Sequence, residues 1–176
     1  MSVIYTVGHS TRSIEEFIAL LQANRIEIVV DVRRIARSRR NPQFGGSALC
    51  ESLEERGILY KHIEGLGGLR HASGSSLNTA WRNSSFRGYA DYMQTPEFSE
   101  SIHELVEIGR EKRTAIMCAE AVPWRCHRSL ISDALVVRGF HVVDIINAKE
   151  NRPHNLTPFA RVDGESITYP QDHLTG

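Results

Sequence analysis

Three cysteines in 176 residues (Cys50, Cys118 and Cys126) are odd in number and too few for a disulfide framework. A reducing compartment is expected, and any cysteine role is then chemical or a matter of packing. No apolar run approaches the ~18 residues of a membrane-spanning helix. The opening MSVIYTVGHSTRS also lacks the basic segment, apolar segment and small-residue cleavage site of a secretory signal. A soluble, cytoplasmic protein that does not meet the membrane is expected. The formal net charge is zero, which argues against a globally electropositive nucleic-acid binder. Lysine is nearly missing: Lys61, Lys112 and Lys149 stand against 18 arginines. The guanidinium fork grips phosphate or carboxylate in a bidentate way, so the placement of the arginines decides whether this bias concerns anions or composition alone.

What remains is an ordinary globular chain. Its 41% hydrophobic content supports one core, and residues 1–176 are expected to form a single domain. Val3 to Val7 read as a buried strand ending at Gly8-His9-Ser10, and Ser13 with Glu16 forms a capping-box signature for the helix that follows. Residues 26–30 form a second β-rich run, so the two strands and the helix between them make a parallel βαβ unit. A helix over 47–56 closed by Gly57 and a strand over 58–63 repeat the unit. Residues 64–85 are Gly- and Ser-rich without a period and read as a long loop. Two helices, 86–93 and 95–110, precede a strand over 114–118, a helix over 123–138 and a fifth strand over 141–146. Residues 147–176 are polar and proline-punctuated, and a surface-wrapping tail is expected there. The fold class is α/β: a three-layer, mostly parallel open sheet of about five strands flanked by helices, Rossmann-like in its alternation.

In such sheets the ligand crevice lies outside the carboxyl ends of the strands. His9 follows the first strand, Asp31, Arg33 and Arg34 the second, and Cys118 and Glu120 the fourth. The run DVRRIARSRRNPQF carries five arginines against one aspartate, with Asn41-Pro42 as a turn signal. Arg33, Arg34, Arg39 and Asn41 are therefore candidates for binding an anion. Arg125 and Arg128 stand near an expected helix start, where backbone N–H groups also favour an anion. Arg87 and Tyr89 lie just past the long loop and are candidates for contacting a ligand. Cys126, between two arginines at that helix start, is a candidate low-pKa thiol; Cys118 is a candidate nucleophile or a packed strand residue.

Sharper motifs fail on spacing. A phosphate-cradling loop of Cys, five residues and Arg misses by one, because six residues separate Cys118 from Arg125. A zinc-deaminase pattern is echoed by Cys118, Glu120 and Pro123, but its Cys-x-x-Cys half is absent. Without paired C-x-x-C spacing, no metal ligands and no cofactor are assigned.

The segments GHSTRSIEEFIALL, DVRRIARSRRNPQF, LGGLR, FRGYADYM and MCAEAVPWRCHRSLI, in that order, resemble the bacterial and archaeal family catalogued as domain of unknown function 488. The likeness runs from residue 4 to about residue 169, and the CAE…P…CHR block is its most specific part. It implies an α/β fold and no established activity. His9, Asp31, Arg33, Arg34, Arg39, Asn41, Arg87, Tyr89, Cys118, Glu120, Pro123, Cys126, His127 and Arg128 carry over as motif positions.

Three readings stand open from the residues. The first is an enzyme on a phosphorylated, nucleotide-like or nucleic-acid substrate, a hydrolase or transferase. Its catalytic candidates are Glu120, Cys118, Cys126, His127, His9 and Asp31; its substrate-binding candidates are Arg33, Arg34, Arg39, Asn41, Arg87, Tyr89, Arg125 and Arg128. The second is a non-enzymatic nucleic-acid module using the arginines of residues 33–40. The third is a metal or redox protein built on Cys118, Cys126 and His127.

Overall fold

A computed structural model of the protein describes residues 2–171. Strands β1 (Val3–Gly8), β2 (Ile28–Asp31), β3 (Leu59–His62), β4 (Thr114–Cys118) and β5 (His141–Asn147) pair in parallel, and β6 (Glu150–Pro153) adds an antiparallel edge. The sheet order is β3-β2-β4-β1-β5-β6. The five expected strands are all present, displaced at their ends by at most two residues.

Strand alternation sorts the core into two layers. Tyr5, Val7, Ala115 and Met117 face α1 (Ile14–Ala23) and α2 (Gly46–Glu54), packing with Phe17, Leu21, Leu49 and Leu53. Ile4, Ile116 and Cys118 face α3 (Ser84–Tyr92), α4 (Pro96–Glu111) and α5 (Arg128–Val137), packing with Tyr89, Ile102, Leu105 and Leu130. The helix ends follow local chemistry. The Ser13 hydroxyl accepts from the Glu16 N–H at 3.1 Å, Thr95 caps α4 ahead of Pro96, and Gly57 and Gly139 take the left-handed φ of +72° and +92° that ends the helices before them.

This topology fixes where a site can lie. From β1 the chain crosses through α1 toward β2 on one side; from neighbouring β4 it crosses through α5 toward β5 on the other. The switch in winding opens a crevice at the carboxyl ends of β1 and β4. Cys118 is the last residue of β4.

The expected surface tail is more integrated than its composition suggests. Residues 150–153 extend the sheet, and β7 (Arg161–Asp163) pairs with β8 (Ser166–Thr168) in a hairpin. Ile167 and Tyr169 are buried in the α5 layer. The Tyr169 hydroxyl donates to the fully buried Asp133 carboxylate at 2.7 Å, and His154 and the Thr157 N–H reach the same carboxylate at 2.8 and 3.1 Å. A buried carboxylate must be satisfied, so Asp133 on α5 recruits the C-terminal segment as its partner. The part of the expected tail from residue 172 onward lies outside the described residues. Among those described, no helix is long and apolar enough to cross a membrane.

Candidate active site

The stretch after β4 departs from the expected helix over 123–138. Pro123–Arg125 forms one 3-10 turn, Cys126 is extended at φ −135° and ψ 144°, and α5 starts at Arg128. The interruption turns the Cys126 side chain back toward the sheet. Its Sγ lies 2.7 Å from Cys118 Sγ and accepts the Arg128 N–H at 3.4 Å. The end of β1 supports the turn from the other side: a Cβ on Gly8 would stand 1.7 Å from the Glu120 carbonyl oxygen, so no larger residue fits there.

The two thiols lie on the floor of a cleft of about 350 Å³, with His127 beside them. Ile35, Leu69, Phe86 and the ring of Tyr89 make its apolar wall, while Arg33, Arg34, Arg37 and Arg125 edge it with charge and Glu120 adds a carboxylate. Leu69 is strained: a non-glycine residue at φ +61°, 75% exposed, whose carbonyl accepts from Arg34 Nη1 at 2.9 Å. This side chain is held out at the cleft rather than packed into the core.

The electrostatics separate the two sulfurs. Burial opposes ionisation of Cys118, yet the hydrogen bond from Cys126 and the Arg128 guanidinium outweigh it and hold this thiol below its ordinary value. Cys126, which donates that hydrogen bond and is itself buried, is pushed well up. The residues alone leave the choice between the two cysteines open; the electrostatics of the pair favour Cys118 as the more acidic thiol. Arg128 is, after the Cys126 hydrogen bond, the next group that holds Cys118 down. It is 0% exposed, its Nε and Nη1 have no hydrogen-bond partner, and Nη2 reaches the Ala121 carbonyl at a long 3.4 Å. A buried guanidinium without a carboxylate is costly, and a thiolate at Cys118 offsets it.

His127 Nε2 lies 2.9 Å from the Val32 carbonyl, which can only accept, so this nitrogen carries the proton. Nδ1 then faces Cys126 Sγ at 3.4 Å with a free lone pair. Burial, opposed by the Val32 hydrogen bond, lowers the His127 pKa from 6.5 to about 4, so the ring is a neutral base near pH 7. Burial also lowers His9. His127 therefore binds fewer protons folded than unfolded between pH 6.5 and about 4, and His9 adds to this below 6.5. Their contribution to stability is full above the unfolded value and falls as pH drops through this window. Urea midpoints should decline from pH 7 to pH 4.5, with a shallower decline in His127→Gln; equal slopes would contradict the assignment.

Several expected site residues are engaged elsewhere. Asp31 is fully buried and holds Arg33 through Nε at 2.9 Å and Nη2 at 2.7 Å, with the Tyr60 hydroxyl donating at 2.6 Å. Asp31 is held by these partners and does not line the cleft, whereas Arg33, although paired with it, does. His9 is buried, stacks on Phe44 at 4.5 Å and does not line the cleft. Arg128 is fully buried and does not line the cleft, and its charge acts on the two thiols. Arg87 donates to the Trp81 and Arg82 carbonyls and faces a different surface depression. Arg39 is exposed away from the cleft, and Asn41 also lies outside it, its N–H donating to Ser38 Oγ at 3.1 Å. Tyr89 contributes its ring, but its hydroxyl is spent on the Leu66 carbonyl at 2.8 Å. Glu120, Cys118, Cys126, His127, Arg33, Arg34 and Arg125 do converge. Arg37, from the arginine-rich run of residues 33–40, and Phe86 join them, while Ile35 and Leu69 join unanticipated; the LGGLR motif is the one sequence signal for the loop that brings Leu69. Among the described residues, no group of three or more His, Cys, Asp and Glu side chains is arranged to hold a metal ion.

Fold and site together define an open, Rossmann-like α/β protein with a dithiol at its topological switch point. The chain belongs to the family described as Domain of unknown function DUF488, whose model matches residues 13–135. That span contains the cleft and leaves out His9 and the C-terminal strands. No curated protein and no solved structure matches the chain.

Proposed function

We propose that the protein is a thiol-dependent enzyme in which Cys118 attacks a small phosphorylated or nucleotide-like substrate. The observation that carries this reading is the Cys118–Cys126 pair at 2.7 Å, backed by buried Arg128, on the floor of a cleft edged by four arginines. A thiolate is the nucleophilic form of cysteine, and a buried cation stabilises it. Arg34, Arg37 and Arg125 grip the anion, the wall of Ile35, Leu69 and Phe86 takes an apolar or planar portion, and Glu120 on the rim exchanges a proton with the leaving group. The cleft volume of about 350 Å³ matches a small ligand, and zero net charge is a poor platform for a long polyanion.

A thermal-shift panel of nucleotides, sugar phosphates and short oligonucleotides tests this. Small phosphorylated compounds should raise the melting temperature, the rise should vanish in Arg34→Ala/Arg37→Ala, and Cys118→Ala should keep binding while abolishing turnover. A panel in which no small anion stabilises the protein would sink the reading. Stabilisation by oligonucleotides alone, falling steeply with salt, would replace it with a nucleic-acid module.

A further inference from the structure

We propose that Cys118 and Cys126 form a dithiol–disulfide couple, oxidised by a small hydroperoxide that enters the cleft, which reversibly silences the nucleophile. The placement of the two sulfurs, and not the identity of the substrate, carries this couple. The sulfurs stand 2.7 Å apart, on the end of β4 and the residue before His127 and α5, so closing to a bond of about 2.05 Å needs a shift of less than an ångström. Both line the same cleft, which gives a small oxidant its path. The third cysteine does not compete, because Cys50 lies on α2 in a different depression and donates to Glu54 Oε1 at 3.4 Å.

The chemistry closes on groups already present. The Cys118 thiolate attacks one peroxide oxygen, the O–O bond breaks, and the departing oxygen takes a proton to leave as water or an alcohol, with Cys118 now a sulfenic acid. Cys126 then gives its proton to His127 Nδ1, 3.4 Å away, and its sulfur attacks the Cys118 sulfur. The S–O bond breaks, and the hydroxide recovers the proton as a second water. Two thiols and one hydroperoxide thus yield one disulfide, one water and one water or alcohol. Reduction by an external dithiol reverses the exchange. The neutral His127 ring, fixed by Val32 with its lone pair toward Cys126, is placed for this one proton transfer.

Intact-mass measurement and non-reducing peptide mapping after stoichiometric hydrogen peroxide test the couple. The wild-type protein and Cys50→Ser should each lose the mass of two hydrogen atoms, give one cross-linked peptide joining Cys118 to Cys126, and recover with dithiothreitol. In Cys126→Ser, Cys118 should stall as a sulfenic acid trapped by dimedone. The couple is overturned if wild-type Cys118 proceeds to sulfinic or sulfonic acid without a cross-link, or stays reduced while Cys50 oxidises. The wild-type readout does not depend on a variant folding. A cross-link in a protein that no phosphorylated compound stabilises would leave the couple standing and the substrate reading fallen. Stabilisation by a phosphorylated compound without a cross-link would leave the substrate reading standing and the couple fallen.

Discussion

Asp31→Ala is expected to remove about 3–5 kcal/mol of folding stability, because it leaves a buried guanidinium without its counter-charge. Asp31 is 0% exposed and Arg33 7% exposed, and the two meet through paired hydrogen bonds of 2.9 and 2.7 Å. Tyr60 and the Arg33 N–H complete the carboxylate's partners at 2.6 and 3.1 Å, so its loss orphans two more donors. The damage should reach the site. The Arg33 carbonyl receives His62 at 2.6 Å, and the adjacent Val32 carbonyl is what fixes the His127 tautomer. A urea midpoint series measures the cost; a loss below about 1 kcal/mol would place the pair among interactions of surface strength.

Arg128→Met should have the opposite sign for stability and a loss in reactivity. Methionine fills a similar volume and removes a buried guanidinium with two unpartnered nitrogens, and Cys118 can take up a proton once the cation is gone, so stability should rise. The same change withdraws the cation that favours the Cys118 thiolate, so alkylation of Cys118 at neutral pH should slow on the order of tenfold. A melting temperature that rises while reactivity falls is the signature of a group retained for chemistry at the expense of stability. If both fall together, Arg128 is a structural residue. If neither changes, the guanidinium is not coupled to the thiols.

These two residues also mark where the sequence is readable and where it is not. Short, near-continuous apolar runs at 3–7, 26–30 and 114–118, with capped helices between, spell out the buried parallel sheet, and strand ends locate Cys118 and Glu120 at the crevice. Asp31 stands at a strand end as its position in the chain implies, but its use is not legible from residue type alone. The i, i+2 spacing to Arg33 puts both side chains on one face of extended chain, and only burial turns that neighbourhood into an ion pair. Arg128 misleads for a related reason: an arginine at a helix start reads as solvent-facing, and nothing local announces that α5 presents it to the core.

The break at Cys126 is hidden in the same way. Pro123 is well suited to the first position of a helix, so local propensity favours one continuous element. The 3-10 turn and extended Cys126 arise from a tertiary contact, the sulfur-to-sulfur approach across the end of β4. The C-terminal segment is not legible because its anchor, Asp133, lies on α5, 36 residues from Tyr169. Polar composition points to a tail, whereas a buried carboxylate needs partners and draws the segment in.

If Cys118 is the ionised, reacting thiol of the cleft, it should also be the first cysteine to be alkylated. The direct measurement is the rate of iodoacetamide modification at each cysteine as a function of pH, resolved by peptide mapping on the native, reduced protein. Cys118 should react first, with an inflection below the ordinary thiol value of about 8.5, ahead of Cys126 and of Cys50, whose thiol is raised by desolvation and by Glu54. Modification of Cys50 first, with Cys118 labelled only after denaturation or with an inflection above that of a free thiol, would contradict that role for Cys118.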